Sequence, residues 1–358
     1  MKFLRNAALI MLIMIGICMV SLALVYKVNT DPVNVNNKDK IEVEIPQNST
    51  IKDISKILKE KELIKNSNFF VFYLKLFPLK DGESLKASTY YLSQDMDIQE
   101  IIDTLKKGNN TNVEQIIVRF NEGIGIRKFA EVVADKTDNT EEDVYKVLKD
   151  DEFLDELIDK YWFLDKSIKD DKLYYSLEGF LFPDTYYFSG KNVSVKDIIN
   201  KMLKREDEIL SEYKDTIANS KYSVREIIIL ASIIEKEGKT RDFDNISSVF
   251  YNRLSNSMKL ESCATLYYGS KKEFSDVGIA TSEMIKNDNP YNTYMYEGLP
   301  VGPISLPGKD AINAAVNPSD TENLYFLSDN EGKTYFFKTY SEHQAKQREL
   351  EKAGKWNR

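Results

Sequence analysis

The segment SVREIIILASIIEKEGKTR, residues 223–241, places two of its carboxylates, Glu235 and Glu237, at the end of a run of mostly apolar residues, and this combination can supply an acid catalyst. At about 100° per residue, Glu235 projects between Ala231 and Ile228, whereas Glu237 leaves the helix on a different side. A carboxyl group held against apolar side chains loses hydration, which disfavours its charged form and raises its pKa. The pattern therefore indicates that Glu235 could donate a proton near neutral pH.

A structural interpretation of the same residues is also open. Both acids could lie at a frayed helix end and pair with nearby bases, namely Lys236, Lys239 or Arg241. Structural ion pairs also perturb the pKa values of acids. The helix alone does not decide between the two interpretations.

The helix that would position Glu235 has clear boundary signals. Ser223 and Glu226 have the spacing of a capping box, and Gly238 stands where a left-handed residue often ends a helix. Almost the whole helix surface is apolar, and only a narrow strip at Ser232 and Lys236 is suited to water. We therefore expect a mostly buried helix that carries its acids near the C-terminal end.

Composition excludes several other classes of site. The net charge of −8, with acids and bases interspersed, removes the electrostatic argument for nucleic acid binding. A single histidine, His343, argues against a usual zinc site and a Ser-His-Asp triad. We expect His343 in the first turn of a helix, where Ser341 and Gln344 could form a capping box. Cys18 lies in the apolar N-terminal segment that we expect to span the membrane, whereas Cys263 lies in the folded part outside it. We therefore expect no disulfide between them.

The N-terminal segment predicts membrane attachment. Residues 7–26 carry no charge and are long enough for a helix that crosses a bilayer. Because Lys2 and Arg5 precede this run, residues 1–6 should stay in the cytoplasm. A signal peptide cleaved near residues 21–23 is the alternative, but the apolar run is longer than is usual for one. We expect a single-pass protein of the cell membrane whose folded part, including the catalytic domain, is extracytoplasmic.

The rest of the chain is predicted to form a linker and two α+β domains. Residues 27–40 are polar and suit a tether. VEIPQNSTIKDISKIL from Val43 and VRFNEGIGIRKFAEVV from Val118 then repeat one strand-turn-helix pattern at an offset of 75 residues. The first copy opens a small α+β module at residues 41–110, and the second opens a larger α+β domain at 111–358.

Three later segments have their own signals. Aromatic residues with Gly and Pro at 177–188 indicate either a cleft wall or a turn with buried aromatics, and both remain open. The Gly/Pro-rich residues 298–308 predict a rigid loop before a helix that ends at Pro318. LYFLSDNEGKTYFF, residues 324–337, predicts a hairpin.

With these segments in order, the chain resembles the YceG-like family of endolytic murein transglycosylases. The resemblance runs from the N-terminal segment to the C-terminus. Its most specific pieces are EGFLFPDTY at 178–186, LASIIEKEG at 230–238, VFYNRL at 249–254, YNTY at 291–294 and GLPVGPISLPG at 298–308. The resemblance implies that the small module is similar to LysM, a glycan-binding fold.

The resemblance also implies a mechanism with one carboxyl group. Glu235 would protonate the oxygen between N-acetylmuramic acid and N-acetylglucosamine and then accept the proton of the muramic C6 hydroxyl. The product would have a 1,6-anhydro end, formed without metal, cofactor or water. Such an enzyme would cut nascent peptidoglycan strands and so act as a terminase of their polymerisation.

An endolytic enzyme must hold sugars on both sides of the scissile bond. The polar and aromatic side chains of the matching segments are our candidates for substrate binding: Arg253, Ser262, Thr265, Tyr291, Asn292, Thr293 and Tyr294. A packing or loop-fixing role is the alternative for each of them. Glu261, Cys263 and Ala264 stand where the family often has Gln and Asp-Pro, and Gln344 stands where it has Asn.

Two other functions compete with this one. A hydrolytic muramidase would use the same acid and deliver water with a second carboxylate, for which Glu237, Glu178 or Glu342 are candidates. A noncatalytic scaffold would hold glycan and recruit synthases, although a binder gains nothing from a desolvated acid. The implied partners are glycan strands, penicillin-binding proteins and the elongation or division machinery.

Overall fold

The computed structural model describes residues 14, 16, 19–38, 40–80, 82–108, 116–188, 190–272 and 280–356. The chain divides into two compact units, residues 1–116 and 117–358. Both combine helices with two-stranded sheets, which confirms the α+β class. Much of the predicted membrane-spanning segment, 7–26, lies outside the described residues. Within the described ranges, no helix is both long enough and apolar enough to span a bilayer.

The first unit is built around an antiparallel pair of strands. Its elements are β1 (Ile41–Ile45), α1 (Ile51–Glu60), α2 (Ser67–Leu76), β2 (Ser88–Leu92) and α3 (Ile98–Lys107). Val43 of β1 lies opposite Tyr90 of β2, and both side chains are fully buried. Capping boxes start α1 and α3, so local sequence fixes where these helices begin.

The second unit is rich in helices. From residue 116 onward the elements are β3 (Ile116–Arg119), α4 (Ile126–Lys136), α5 (Glu141–Val147), α6 (Asp151–Lys160), β4 (Thr185–Phe188), α7 (Val195–Ser211), α8 (Lys214–Ala218), α9 (Val224–Glu237), α10 (Phe243–Ser255), α11 (Cys263–Gly269), α12 (Ser282–Lys286), α13 (Lys309–Val316), β5 (Tyr325–Ser328), β6 (Thr334–Phe337) and α14 (Tyr340–Lys352). Short 3₁₀ helices occupy Lys166–Lys169 and Thr240–Asp242. β3 pairs with β4, and β5 pairs antiparallel with β6 as the predicted hairpin.

Helix α9 lies at the centre of this unit. All residues from Ile227 to Ile234 are buried, and α10 and α13 pack against the helix. The capping box is confirmed: Ser223 accepts from the backbone N–H of Glu226, whose carboxylate accepts from that of Ser223. Sequence periodicity and capping therefore predicted this helix well.

Two details of α9 differ from prediction. Ser232 does not face water; it is fully buried, donates to the carbonyl of Ile229 and accepts from the N–H of Ile304. Gly238 is extended, with φ −148°, and is not left-handed. A Cβ at Gly238 would lie 2.3 Å from Cδ1 of Ile246, so close packing favours the glycine.

The repeated strand-turn-helix pattern is confirmed in both copies. The matched core residues Val43 and Val118 are fully buried. The matched pair at the helix start differs, because Ile51 is 41% exposed whereas Ile126 is fully buried. The second copy therefore packs its turn against further parts of its own unit.

The C-terminal helix begins at a different cap from the predicted one. Thr339, not Ser341, is the N-cap of α14, and its hydroxyl accepts from the N–H of Glu342 at 3.2 Å. The carboxylate of Glu342 accepts in return from the N–H of Thr339. Gln344 therefore has no part in the capping box, and Glu342 serves as a cap. His343 does lie in the first helical turn, stacked against Tyr340.

Candidate active site

The carboxyl group of Glu235 is held at the point where α9 meets the start of α13. Its Oε2 accepts from the backbone N–H of Gly308, the N-cap residue of α13, at 3.0 Å. Burial raises the pKa of Glu235 to about 7, and the nearby Glu122 carboxylate acts in the same direction, whereas the hydrogen bond from Gly308 lowers it. A carboxyl group in this balance can both give and take a proton near neutral pH.

A turn after β3 forms one wall beside Glu235. Gly123 has a φ of 74°, and a Cβ there would lie 3.4 Å from Cγ of Glu235. Lys236 donates from Nζ to the carbonyl of Gly123 at 3.1 Å. Gly123 donates its N–H to the carbonyl of Leu306, and Leu306 donates to that of Ile124. The turn and the loop at 298–308 are therefore tied together around the acid.

A cavity of about 280 Å³ opens beside Gly123 and Lys236. Its walls combine aromatic rings, carboxylates and cationic side chains, which come from Tyr175, Tyr267, Tyr268, Glu178, Glu237, Arg127 and Lys272. Pockets with apolar surface and a few polar groups suit small organic ligands. Its lining of aromatic and charged groups suits a ring that has apolar faces and polar edges.

Glu237 lies in the cavity wall but has partners of its own. Its carboxylate accepts from the hydroxyl of Ser262, the N-cap residue of α11, and from the backbone N–H of Ala264 in the first turn of that helix. Burial raises the pKa of Glu237, and these hydrogen bonds oppose the rise. Glu237 therefore fixes the start of α11, on a different side of α9 from Glu235.

Glu178 acts as a cap for another helix. Both of its oxygens accept from the N–H of Ile126, at 3.2 and 3.1 Å, and Tyr268 donates its hydroxyl to Oε2 at 2.9 Å. Next to it, Gly179 has a φ of 86°, and a Cβ there would lie 2.4 Å from Pro303. The segment at 177–188 is thus both a cavity wall and a turn with buried aromatics.

The structure places five of the seven predicted substrate-binding residues in two adjacent hydrogen-bonded groups, one around Thr293 and one around Asn292. Thr293 accepts from the N–H of Ser262 at 3.0 Å, and its Oγ1 lies 2.8 Å from that of Thr265. Asn292 donates to the carbonyl of Asn287 at 2.7 Å and accepts from the N–H of Tyr294 at 2.9 Å. These bonds hold the loop around 291–294 against the start of α11.

The other two predicted residues, Tyr291 and Arg253, also form hydrogen bonds within the protein. Tyr291 is fully buried and accepts from the N–H of Tyr174 at 3.3 Å. Arg253 is 8% exposed, donates to the carbonyl of Leu324 and forms an ion pair with Glu261 at 3.1 Å. Direct sugar binding by these seven residues stays a prediction, and their hydrogen bonds favour the loop-fixing alternative.

Gly308 and Glu122 lie at the site, and the sequence alone does not identify them. Gly308 contributes a backbone N–H, which any residue except proline could supply, so residue type gives no signal.

Cys263 lies with its Sγ 3.2 Å from the hydroxyl of Tyr294. Among the described residues, no cluster of three or more His, Cys, Asp or Glu side chains could hold a metal ion.

Known proteins with similar sequences and structures identify the family of this chain. The model of the YceG-like family matches residues 43–349. An endolytic murein transglycosylase of Bacillus subtilis is 35% identical over 317 residues, covering 87% of this chain and 85% of that protein. One of Streptococcus pneumoniae is 33% identical over 326 residues, covering 87% of this chain and 58% of that protein. The crystal structure of a putative yceG-like protein from Listeria monocytogenes has 36% identity and a TM-score of 0.61, covering 86% of this chain and 99% of that one. This chain therefore belongs to the YceG-like family.

Proposed function

We propose that this protein is a lytic transglycosylase that cuts peptidoglycan glycan strands between N-acetylmuramic acid and N-acetylglucosamine. The observation that carries the proposal is the half-buried Glu235, whose pKa is raised to about 7 and whose Oε2 is held by Gly308. The curated relatives are named endolytic murein transglycosylases, which supports the same reaction.

In the first half-reaction, protonated Glu235 donates its proton to the bridging oxygen. The bond between muramic C1 and that oxygen breaks, and the electron pair leaves with the N-acetylglucosamine hydroxyl. Positive charge then develops at C1, as in other glycosidic cleavages. Glu235 becomes a carboxylate, which the N–H of Gly308 and the N-terminal end of α13 stabilise.

In the second half-reaction, the muramic C6 hydroxyl attacks C1. The Glu235 carboxylate takes the hydroxyl proton as the C6 oxygen bonds to C1, and this regenerates the acid. All atoms are accounted for without water. A pKa near the working pH suits one group that must donate and then accept the same proton.

The three carboxylates suggested for a hydrolytic mechanism each accept hydrogen bonds at the start of a helix. Glu178 caps α4, Glu237 caps α11, and Glu342 caps α14. Each is already engaged by backbone N–H groups. This arrangement favours the single-carboxyl mechanism over delivery of water.

We further propose an anchored enzyme with a separate glycan-binding part. Residues 41–110 would form a LysM-like module, which the order of strand, two helices and antiparallel strand supports. A membrane anchor at residues 7–26 would keep the catalytic unit outside the cytoplasm, close to nascent strands. Cutting there would end glycan polymerisation, with penicillin-binding proteins and the elongation or division machinery as partners.

Product analysis tests the reaction. Purified full-length protein in detergent is incubated with glycan strands, and the new ends are identified by mass spectrometry. We expect 1,6-anhydromuramic ends from the wild type and none from Glu235→Gln. Reducing muramic ends in the wild-type digest would identify a hydrolase and overturn the proposed mechanism, whereas intact strands would favour a noncatalytic scaffold.

A further inference from the structure

The two copies of the internal repeat form the same turn with different residues at its tip. Asn48 in the first copy has a φ of 64°, and Gly123 in the second has a φ of 74°. At the offset of 75 residues, Gln47 of the first copy corresponds to Glu122 of the second. The first copy therefore shows that this turn forms without an acidic residue.

The second turn also does not use Glu122 to start its helix. In the first copy, Thr50 caps α1 through a capping box with Asp53. In the second copy, the N-cap is Gly125, which has no side chain, and Glu178 accepts from the first helical N–H instead. Local helix capping therefore gives no reason for a carboxylate at position 122.

Glu122 instead lies against the residue that holds the catalytic acid. A Cβ at Gly308 would lie 2.1 Å from Oε1 of Glu122, so the Glu122 carboxylate occupies the space beside that glycine. The N–H of the same glycine donates to Glu235. Two carboxylates thus meet at Gly308, one exposed and one half-buried.

We propose that Glu122 is a positioning residue of the active site, and that its negative charge beside Gly308 favours the protonated form of Glu235. This inference rests on the proposed function. Lys236 on α9 opposes the effect of Glu122, and Asp310 on α13 adds to it. An exposed charge acts through water, so its influence should weaken as salt screens it.

The test compares the pH dependence of kcat/KM in full-length wild type and Glu122→Gln. The acid must be protonated to react, so kcat/KM falls as pH rises through the pKa of Glu235. Removing the Glu122 charge should move this alkaline limb to lower pH by roughly 0.2–0.7 unit at low salt, the size expected for an exposed pair. The shift should shrink in about 1 M salt, where the screening length is about 3 Å.

Glu131→Gln is the matched control, because Glu131 is an exposed acid on α4 that pairs with Lys128. It changes the net charge equally and should leave the alkaline limb in place. An unmoved limb in Glu122→Gln, or an equal shift in both variants, would overturn the inference.

Carboxyl ¹³C NMR titration of Glu235 gives its pKa without turnover, with Glu235→Gln identifying the signal. If Glu122→Gln loses activity, this titration still tests the effect of the Glu122 charge. An unchanged pKa of Glu235 in that variant would overturn the inference. If wild-type digests contain anhydro ends but the limb does not move, only this inference fails. If they contain none, the proposed function fails.

Discussion

Gly308 donates its backbone N–H to Oε2 of Glu235 across 3.0 Å, at the N-terminal end of α13. This bond stabilises the carboxylate, while burial of Glu235 stabilises the protonated acid, and the result is a pKa of about 7. Because the donor belongs to the backbone, its position depends on the loop that precedes α13. The chemistry of Glu235 therefore depends on how that loop is held.

We predict that Glu235→Gln keeps the fold and loses nearly all activity. Glutamine matches glutamate in shape but has no transferable proton, and general acid-base catalysis is worth about 10²–10⁴-fold. The loss should be at least this large because one group serves both half-reactions. Release of anhydro ends measures activity, and a melting temperature no lower than that of the wild type would show that the fold is intact.

Glu237→Gln should reduce activity much less. Its amide oxygen can still accept from Ser262, so the start of α11 remains held. Glu237→Ala should instead leave buried donors unpaired and destabilise the protein by about 1–3 kcal/mol. Thermal melting and product release distinguish the two variants. A loss in Glu237→Gln equal to that in Glu235→Gln would contradict the assignment of Glu235 as the single acid.

The pH profile of the wild type follows from the raised pKa of Glu235. Below pH 7 the group is mostly protonated and can donate, and above pH 7 this form is progressively lost. We therefore expect kcat/KM to fall about tenfold per unit well above that pH. A profile that rises through this range would mean that the carboxylate form of a catalytic group is required first.

Local signals explain what the sequence could predict. The capping box at Ser223 and the apolar periodicity of α9 are properties of a single helix, so they located Glu235 correctly within it. The burial of Ser232 could not be read in this way, because Ile304 reaches it from a loop more than 70 residues away. Gly308 could not be predicted either, because it also reaches α9 from a distant part of the sequence, 73 residues from Glu235.

Ser232 gives a direct test of that loop. Its hydroxyl accepts from the N–H of Ile304 and donates to the carbonyl of Ile229. Ser232→Ala should leave the buried N–H of Ile304 unpaired, which typically costs about 1–3 kcal/mol. We expect a lower melting temperature together with reduced kcat, since the same loop carries Gly308. A normal kcat in a destabilised variant would show that the position of Gly308 does not depend on Ser232.

Glu206 on α7 is a second buried carboxyl group, and it affects the stability of the protein and not the reaction. Its side chain is fully buried, and within the described part of the chain neither of its oxygens has a hydrogen-bond partner. Burial raises the pKa of Glu206 well above its usual value. It lies apart from Glu235 in sequence and has no part in the proposed reaction.

Glu206→Met should stabilise the protein, and more so as pH rises. In wild type the folded state keeps the Glu206 proton after the unfolded state has released it. The free energy of unfolding therefore falls as pH rises above the unfolded pKa of Glu206, near 4.5. This loss of stability grows by about 1.4 kcal/mol per pH unit until the pKa of Glu206 in the folded state is passed. We expect the Glu206→Met substitution to raise the melting temperature more at pH 7.5 than at pH 4.5, as measured by calorimetry. Glu208→Gln, an exposed change on the same helix, should alter it little at either pH. Equal effects of Glu206→Met at both pH values would mean that the Glu206 carboxyl group finds compensation in the folded state.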